Sequence, residues 1–459
     1  MKHKVRKIHF IGIGGVGMSG IAEVLHNLGY EISGSDAGQS YNTDRLQQLG
    51  IRVAIGHAYE NVGDADVIVA STAIDKSNPE IRYGLEHRIP IVPRAQMLAE
   101  LMRFKYGIAI AGTHGKTTTT SLAAEALKEC HLDPTFIIGG KLATTGSNAK
   151  LGSGEYLVAE ADESDASFLL LNPMIAVVTN IDLDHMDTYD HDEEKLKAAF
   201  IEFLSKLPFY GRAIVCGEDK RIGEILPQIS RPCTTYGLSD KFDVYASDVV
   251  ANGGAMQYMV HVKHMNLSYP ITVNMPGTHN VLNSLAVIAL ALECDGKIED
   301  IARGLANFHG VGRRCQHYPN IKYDGKEAML VDDYGHHPVE VRATLSALRG
   351  AYPDKRLVLI FQPHRYTRTR DLFDDFVSIL STVDYLILTE VYAAGEKPIA
   401  LADGRALVRA VRLHGNENAI FAADIDDAKA KLVHTLQDGD LVVTMGAGSI
   451  GKLPSQLIN

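Results

Sequence analysis

The chain has 459 residues, of which 46% are hydrophobic and 22% are charged, and its formal net charge at pH 7 is −11. This length predicts two to four domains, and the acidic balance argues against nucleic acid as a partner, because binding to a phosphate backbone needs a basic face. The sequence has no apolar run long enough to span a membrane, and five cysteines without a Cys-x-x-Cys pair predict buried free thiols and a cytoplasmic protein. Short apolar runs alternate with helical patterns, which predicts an α/β fold of mostly parallel sheets in three successive units.

The first predicted unit, residues 1–105, has a glycine-rich turn between a strand at residues 7–13 and a helix near residues 18–28. The turn reads Gly12-Ile-Gly-Gly-Val-Gly17, and an aspartate nineteen residues later completes the spacing of a dinucleotide-binding fingerprint. The pattern requires only a diphosphate at a helix N-terminus, so both NAD and a UDP-linked sugar remain open. The residues expected to line this site are Gly14, Gly15, Gly17, Asp36, Ser71 and Thr72.

The second predicted unit, residues 106–312, contains a phosphate loop. A buried strand at residues 108–110 leads into Gly112-Thr-His-Gly-Lys-Thr-Thr118, and a helical pattern follows at residues 122–127. This order favours a nucleoside triphosphate, because the glycines expose backbone N–H groups and the helix N-terminus attracts phosphate. Lys116 is expected to reach the terminal phosphates and Thr117 to bind Mg²⁺. Only two residues separate the glycines of this loop, whereas the usual phosphate loop has four.

Acidic residues follow the next two predicted strands, residues 156–159 and 175–178. Because ligands bind at the carboxyl ends of parallel strands, Glu160 is predicted to be a carboxylate ligand of the nucleotide-bound Mg²⁺. The segment from Asn180 to Asp187 holds three carboxylates and His185. Two interpretations of His185 remain open: it orients water at a second Mg²⁺, or it is a loop histidine without a ligand. Further on, residues 242–275 predict antiparallel strands at an edge of the same sheet, and residues 280–294 predict a helix.

The third predicted unit, residues 313–459, has two strands that end in polar segments. Residues 332–338 follow one strand and residues 362–370 follow the next, and we expect these strand ends to be adjacent and to face one cleft. Arg365 and Arg368 in the second segment could clamp a carboxylate or a phosphate. The alternative is a surface arginine cluster without a ligand. Zinc is not expected at the paired histidines, since no cysteine or third histidine has matching spacing.

With these motifs assembled, the chain resembles the Mur ligases over essentially its whole length. The two-residue gap in the phosphate loop is the form that this family uses. The motifs that carry the resemblance are Gly12–Gly20, Gly112–Thr118, Glu160–Ser164, Asn180–His185, His309–Arg314, Asp332–Pro338 and His364–Arg368.

The resemblance implies a Rossmann-like UDP-sugar domain, a central ATPase-like domain and a C-terminal Rossmann-like domain that brings an amino acid. It implies that ATP, with Mg²⁺, converts the lactoyl carboxylate of UDP-N-acetylmuramate into an acyl phosphate, from which the amine of L-alanine displaces phosphate. It also implies residue roles. The nucleotide is contacted by Gly112, Thr113, His114, Gly115, Lys116, Thr117, Thr118, Asn280, Asn283, Arg314 and Asp333. The metal ions lie at Thr117, Glu160 and His185, the catalytic residues are Lys116, His185 and Arg314, and L-alanine is positioned by His336, Arg365 and Arg368.

Three alternatives remain at this point. A relative that attaches a preformed peptide to UDP-N-acetylmuramate shares most of these motifs, although Glu160–Ser164 and the arginine pair favour free alanine. An NAD-dependent oxidoreductase explains the first turn but leaves the phosphate loop unexplained. An ATP-driven switch protein explains only the loop. A monomer or a weak homodimer is expected, without nucleic acid or membrane as a partner.

Overall fold

The computed structural model describes residue 1, residues 4–142 and residues 146–458. Within these ranges the strands form three sheets, of five, ten and six strands. The chain divides into two compact units, the first made of Met1–Val249, Tyr258–Val273 and Val281–His309, and the second of Val250–Gln257, Asn274–Asn280 and Gly310–Asn459. No described helix is long and apolar enough to cross a membrane.

The first unit begins with a parallel five-stranded sheet. Strands β1–β5 are Lys7–Ile11, Glu31–Asp36, Arg52–Ile55, Val67–Ala70 and Ile91–Pro93, and helices α1–α4 are Val16–Asn27, Tyr41–Gln48, Pro79–Glu86 and Arg94–Met102. The strand order is β3-β2-β1-β4-β5, with β1 paired in parallel with both β2 and β4. The glycine-rich turn after β1 therefore lies at the switch point of the sheet, where folds of this type bind their ligands.

A ten-stranded sheet follows along the chain. Strands β6–β15 are Tyr106–Ala111, Thr135–Ile137, Ala149–Lys150, Tyr156–Glu160, Ile175–Val178, Arg212–Cys216, Cys233–Gly237, Val244–Asn252, Ala255–Val262 and Leu267–Val273. Helices α5–α9 are Lys116–Glu129, Glu193–Ser205, Lys220–Ile225, Thr278–Glu293 and Ile298–Ala306. The order is β15-β14-β13-β12-β11-β10-β6-β9-β7-β8, so the strands predicted within residues 242–275 do form one edge of this sheet. Strand β6 is central, between its parallel neighbours β10 and β9, and all four residues from Ile108 to Ala111 are fully buried.

The second unit contains the six-stranded sheet. Strands β16–β21 are Gln316–Tyr323, Lys326–Asp333, Leu357–Phe361, Tyr385–Thr389, Ala419–Ala422 and Leu441–Met445. Helices α10–α15 are Pro338–Ala351, Tyr366–Asp371, Phe373–Leu380, Gly404–Leu413, Ile425–Thr435 and Leu453–Ile458. Separate apolar clusters cover the two faces of the sheet.

The strand order of the six-stranded sheet differs from the predicted one. The order is β16-β17-β21-β18-β19-β20, so the last strand of the chain lies between β17 and β18 and pairs in parallel with both. The prediction that the two polar segments follow adjacent strands was therefore wrong. A strand that arrives from far along the chain leaves no local signal of where it inserts.

All five cysteines are free, as predicted. Only Cys216 and Cys294 are buried, whereas Cys130, Cys233 and Cys315 are partly exposed, so the expected burial holds for two of the five.

Candidate active site

The phosphate loop joins β6 to α5, and its two glycines are required by both conformation and space. Gly112 has φ +124° and Gly115 has φ +83°, in the region that side chains disfavour. A Cβ at Gly112 would lie 2.1 Å from the Thr179 hydroxyl, and one at Gly115 would lie 2.8 Å from Oδ1 of Asn283. The loop is therefore packed against the end of β10 and against α8.

The segment after β10 fixes the middle of the loop. Asn180 Oδ1 accepts from the backbone N–H of His114 at 2.8 Å, and Asn180 Nδ2 donates to the His114 carbonyl at 2.9 Å. The backbone N–H of Thr113 donates to the Asn180 carbonyl, and Nε2 of His114 lies 3.2 Å from a carboxylate oxygen of Asp182. The loop backbone is thus held in place by the neighbouring strand end.

Lys116, the first residue of α5, forms a buried ion pair. Its Nζ lies 2.7 Å from Oε2 of Glu163 and also donates to the carbonyls of Gly112 and Thr113, at 2.7 and 3.1 Å. Burial disfavours the charged ammonium, but the nearby carboxylates, Glu163 first, outweigh it and raise the pKa of Lys116. The ammonium is therefore charged at the position where a triphosphate would need it.

Oxygen ligands suited to Mg²⁺ lie beside the loop. Glu160 ends β9 and is paired in register with Ile110 of β6, and one of its oxygens accepts from the backbone N–H of Gly139 at 2.6 Å. Thr117 and Thr118, in the first turn of α5, are almost fully buried. A hydroxyl and a carboxylate are the donors that Mg²⁺ prefers, so Thr117 and Glu160 fit this ion by their chemistry.

His185 lies in the loop after β10 with a left-handed backbone, φ 55°, at the start of the 3₁₀ turn Met186–Tyr189. Its Nε2 lies 3.5 Å from Oδ2 of Asp184, and the side chain is about one-third exposed. Asp187 pairs instead with His191, at 3.1 Å on the surface. Asp184 therefore lies beside the His185 ring.

The glycine-rich turn after β1 is held by the aspartate that the fingerprint singled out. Oδ2 of Asp36 accepts from the backbone N–H of Gly14 at 2.8 Å, and Gly15 is the N-cap of α1. A Cβ at Gly14 would come within 2.8 Å of that carboxylate. In this structure Asp36 therefore shapes the turn itself.

Ser71 and Arg94 lie beside this turn. A Cβ added to Gly12 would lie 3.2 Å from Cβ of Ser71, which follows β4, whereas Thr72 is exposed. The guanidinium of Arg94 lies over Gly17, 3.1 Å from a Cβ built there, and 3.7 Å from Oδ2 of Asp162.

Two asparagines of α8 have different surroundings. Oδ1 of Asn283 accepts from the Thr119 hydroxyl at 3.1 Å, next to Gly115. Nδ2 of Asn280, one turn earlier, donates to the carbonyl of Pro276 at 2.8 Å.

In the second unit, Asp333 ends β17 and is buried. Its two oxygens accept from the backbone N–H groups of Gly335 and Cys315, both at 2.7 Å. Burial raises the pKa of Asp333 to about 6, although Arg314 and the two amides favour the charged form. The Arg314 guanidinium lies 5.0 Å from the centre of the Tyr334 ring. These contacts tie Asp333 to the segment that carries Arg314.

The two polar segments of the second unit still meet, despite the intervening strand. The rings of His336 and His364 lie 5.5 Å apart, and Nη1 of Arg368, a buried residue, lies 3.3 Å from Nδ1 of His364. Arg365 is exposed and has φ 69° and ψ 134°, a conformation that L-residues rarely adopt. Its backbone N–H donates to the Tyr392 carbonyl at 2.9 Å, which holds this strained residue at the strand end.

Three residues at these sites were not singled out from the sequence: Arg94, Glu163 and Asn180. Glu163 and Asn180 lie in the short polar segments that follow β9 and β10, and this position was the available signal. No sequence signal pointed to Arg94, because it begins a helix after a short edge strand and lies far along the chain from the turn that it covers.

Comparisons with known proteins cover nearly the whole chain. Three family models match: the catalytic domain of the Mur ligase family over residues 7–106, the Mur ligase middle domain over 110–291, and the Mur ligase glutamate ligase domain over 313–448. The UDP-N-acetylmuramate–L-alanine ligase of Neisseria gonorrhoeae is 60% identical over 462 residues, covering 100% of this chain and 98% of the relative. The ligase of the same name from Laribacter hongkongensis is 62% identical over 461 residues, with the same coverage.

Two solved structures are similar along the full length. The UDP-N-acetylmuramate-alanine ligase of Thermotoga maritima has a TM-score of 0.83 and 28% identity, and the match covers 98% of each chain. A murein peptide ligase of Psychrobacter arcticus has a TM-score of 0.72 with 23% identity over the same coverage, which shows a common fold.

Proposed function

The chain belongs to the Mur ligase family, and we propose that it joins L-alanine to the lactoyl carboxylate of UDP-N-acetylmuramate at the expense of ATP. The observation that carries this proposal is the identity of about 60%, over the full chain, to ligases named for these two substrates. The phosphate loop supports it, because a charged lysine and a threonine directly follow the loop glycine, and Glu160 ends the strand next to β6.

The first step transfers a phosphoryl group. A carboxylate oxygen of the lactoyl group attacks the γ-phosphorus, the bond to the bridging oxygen breaks, and ADP leaves. Two anions approach each other in this step, so Lys116 would neutralise part of the charge on the terminal phosphates. The backbone N–H groups of Gly115 and Lys116, at the start of α5, would hold the phosphates, because the contacts of Thr113 and His114 with Asn180 fix the loop backbone before them.

Thr117 and Glu160 would hold one Mg²⁺, and His185 would lie at a second. The metal supplies charge neutralisation on the phosphate oxygens when it is bound. Glu160 is held at the end of β9 by the backbone N–H of Gly139, which donates to one of its oxygens at 2.6 Å.

The second step forms the amide. The amine nitrogen of L-alanine, in its uncharged form, attacks the acyl carbon, the bond from that carbon to the phosphate oxygen breaks, and phosphate leaves while the nitrogen gives up one proton to phosphate or solvent. Arg365 and Arg368 would bind the alanine carboxylate, with His336 beside them, because a guanidinium pairs with a carboxylate through two parallel hydrogen bonds. Gly14, Gly15, Gly17, Ser71 and Thr72 would receive the UDP diphosphate at the start of α1, with the turn held by Asp36.

The remaining assignments follow the same resemblance. Asn280, Asn283, Arg314 and Asp333 would contact the nucleotide, and residues 1–105, 106–312 and 313–459 would each serve one substrate. We place the reaction in the cytoplasm, in the synthesis of peptidoglycan precursors, and expect a monomer or a weak homodimer.

Isotope transfer tests this chemistry. UDP-N-acetylmuramate labelled with ¹⁸O in both carboxylate oxygens is incubated with ATP, Mg²⁺ and L-alanine, and the released phosphate is analysed by mass spectrometry. The acyl-phosphate route places one labelled oxygen in each phosphate. Unlabelled phosphate, with the label retained in the amide product or the unreacted sugar, would exclude this route.

A further inference from the structure

The hydrogen-bonding capacity of Lys116 is fully used within the chain. A protonated lysine has three N–H donors. In the structure these meet three acceptors: the carbonyls of Gly112 and Thr113, and Oε2 of Glu163. A terminal phosphate therefore gains a hydrogen bond from this ammonium only by displacing one of the three.

Glu163 is the charged acceptor among them, and it is fixed. Its side chain is only 2% exposed, and its backbone carbonyl accepts from the Tyr189 hydroxyl and from the backbone N–H of Ala166. The stem of Lys116, by contrast, has four rotatable methylene groups. Any exchange of partners is therefore a movement of the lysine toward or away from a stationary carboxylate.

The second oxygen of Glu163 has no hydrogen-bond partner among the described residues, and it is fully buried. Lys116 is thus the principal compensation for a buried negative charge, which is costly to leave alone. Burial raises the pKa of Glu163 to about 7 and Asp162 adds to this, while the Lys116 ammonium lowers it and so is what favours the carboxylate form near neutral pH. A γ-phosphate that draws on the same ammonium therefore competes with an anion already in place.

We propose that Glu163 is a built-in competitor of the nucleotide for Lys116: its carboxylate takes the place of a phosphate oxygen at the ammonium, and thereby weakens the binding of the triphosphate. The competition keeps the lysine at the loop between turnovers. We expect this competition to weaken the binding of a nucleoside triphosphate more than that of a diphosphate, since the γ-phosphate adds negative charge next to the Glu163 carboxylate. This inference rests on the proposed function in so far as that function assigns ATP to the loop.

The test is calorimetric titration of the full-length protein with the Mg²⁺ complexes of AMP-PNP and of ADP. Glu163→Gln keeps the size of the side chain and one acceptor oxygen but removes the charge. We expect it to lower the Kd for AMP-PNP about three- to tenfold, and the Kd for ADP by less, because a like charge near the phosphate is gone. If Glu163 only maintained the structure of the loop, Glu163→Gln would instead raise both Kd values, since a damaged loop binds both nucleotides more weakly.

Glu155→Gln is the matched control, because Glu155 is an exposed glutamate that directly precedes β9. Its Kd values should equal those of the wild type. Glu163→Asp keeps the charge but moves it one methylene away from the ammonium, so its Kd for AMP-PNP should lie between those of the wild type and Glu163→Gln. This variant replaces Glu163→Gln in the test if the glutamine variant does not fold. Unchanged or weaker AMP-PNP binding by the folded variant overturns the inference. Absence of AMP-PNP binding by the wild type would instead contradict the proposed function.

Discussion

Lys116 and its neighbours show what a single residue contributes to this site. The ammonium is charged although its surroundings are buried, because carboxylates lie around it. The two glycines that precede it in the loop, Gly112 and Gly115, have positive φ values that side chains disfavour. Charge and backbone shape together suit this loop to a phosphate, and each can be removed separately.

Replacement of the lysine tests its assignment to the ATP step. Lys116→Ala should lower the turnover number by roughly a thousandfold or more, because the charge that stabilises the transferring phosphoryl group is lost. Binding of UDP-N-acetylmuramate, measured by calorimetry, should change little, since its predicted site lies at the turn after β1. Loss of both properties in a folded variant would show that the two sites are wrongly assigned.

Arg365 is the residue whose strained backbone points to a function. A lysine in its place keeps the charge but loses the planar pair of donors, so Arg365→Lys should raise the KM for L-alanine about tenfold or more, with a smaller effect on kcat. Steady-state kinetics at saturating ATP and UDP-N-acetylmuramate measure this separation.

The matched control for that variant is Arg370→Lys, at an exposed arginine of the helix that begins directly after Arg365; Arg370 pairs with Asp371 at 2.6 Å. Equal increases of KM in both variants would contradict a specific contact of Arg365 with the amino acid.

Sequence reasoning identified the residue types at the site better than their partners. Lys116, Glu160 and Asp36 were singled out because each follows a strand at a spacing that has a chemical reason. The structure gives Asp36 the role of holding the turn, and it gives Lys116 a counter-ion that the sequence did not assign. Which of several acids in one motif contacts a given cation depends on side-chain direction, and periodicity does not contain that information.

At the scale of elements, a buried carboxylate joins β1, β2 and α3. Glu80 is fully buried; it accepts from the Ser35 hydroxyl and from Nδ2 of Asn61, and it lies 3.3 Å from Nε2 of His9. Burial by itself would raise the pKa of Glu80, but the hydrogen bonds from these three side chains prevail and lower it to about 2. The network fixes α3 and the loop after β3 on the sheet that carries the glycine-rich turn.

The lowered pKa predicts a pH-dependent contribution to stability. The fall from 4.5 to about 2 corresponds to about 3 kcal/mol in the free energy of unfolding. For a carboxyl group with a lowered pKa, this contribution is present above pH 4.5 and is lost as the pH falls toward 2. Urea unfolding of wild type and Glu80→Gln should therefore differ most near neutral pH and converge in acid.

Glu86→Gln, at an exposed end of the same helix, is the control and should follow the wild type at every pH. A difference between wild type and Glu80→Gln that stays constant from pH 7 to pH 3 would contradict the assigned role of the charge.

The longest buried strands were predictable because they are continuous apolar runs, as at residues 108–110 and 357–360. Short edge strands such as β3, β5 and β20 were missed, since three or four residues carry little pattern. The insertion of β21 between β17 and β18 was also missed, because pairing between distant segments depends on the assembled sheet.

At the scale of the whole molecule, three mostly parallel sheets follow one another along the chain, in agreement with the predicted α/β fold of three domains. The predicted boundaries at residues 105 and 312 remain predictions, as does the oligomeric state. Each sheet presents its polar residues after its strands, which is the reason that motifs spread over the whole sequence could be interpreted as ligand sites.

The specificity for the amine tests the central claim most directly. Phosphate release from ATP is measured with UDP-N-acetylmuramate and, in turn, L-alanine, glycine, L-serine, a tripeptide or no amine. We predict the highest kcat/KM with L-alanine, and no more than trace turnover with the tripeptide or without an amine. Turnover that is independent of the amine would contradict a ligase, and a preference for the tripeptide would identify a peptide ligase instead.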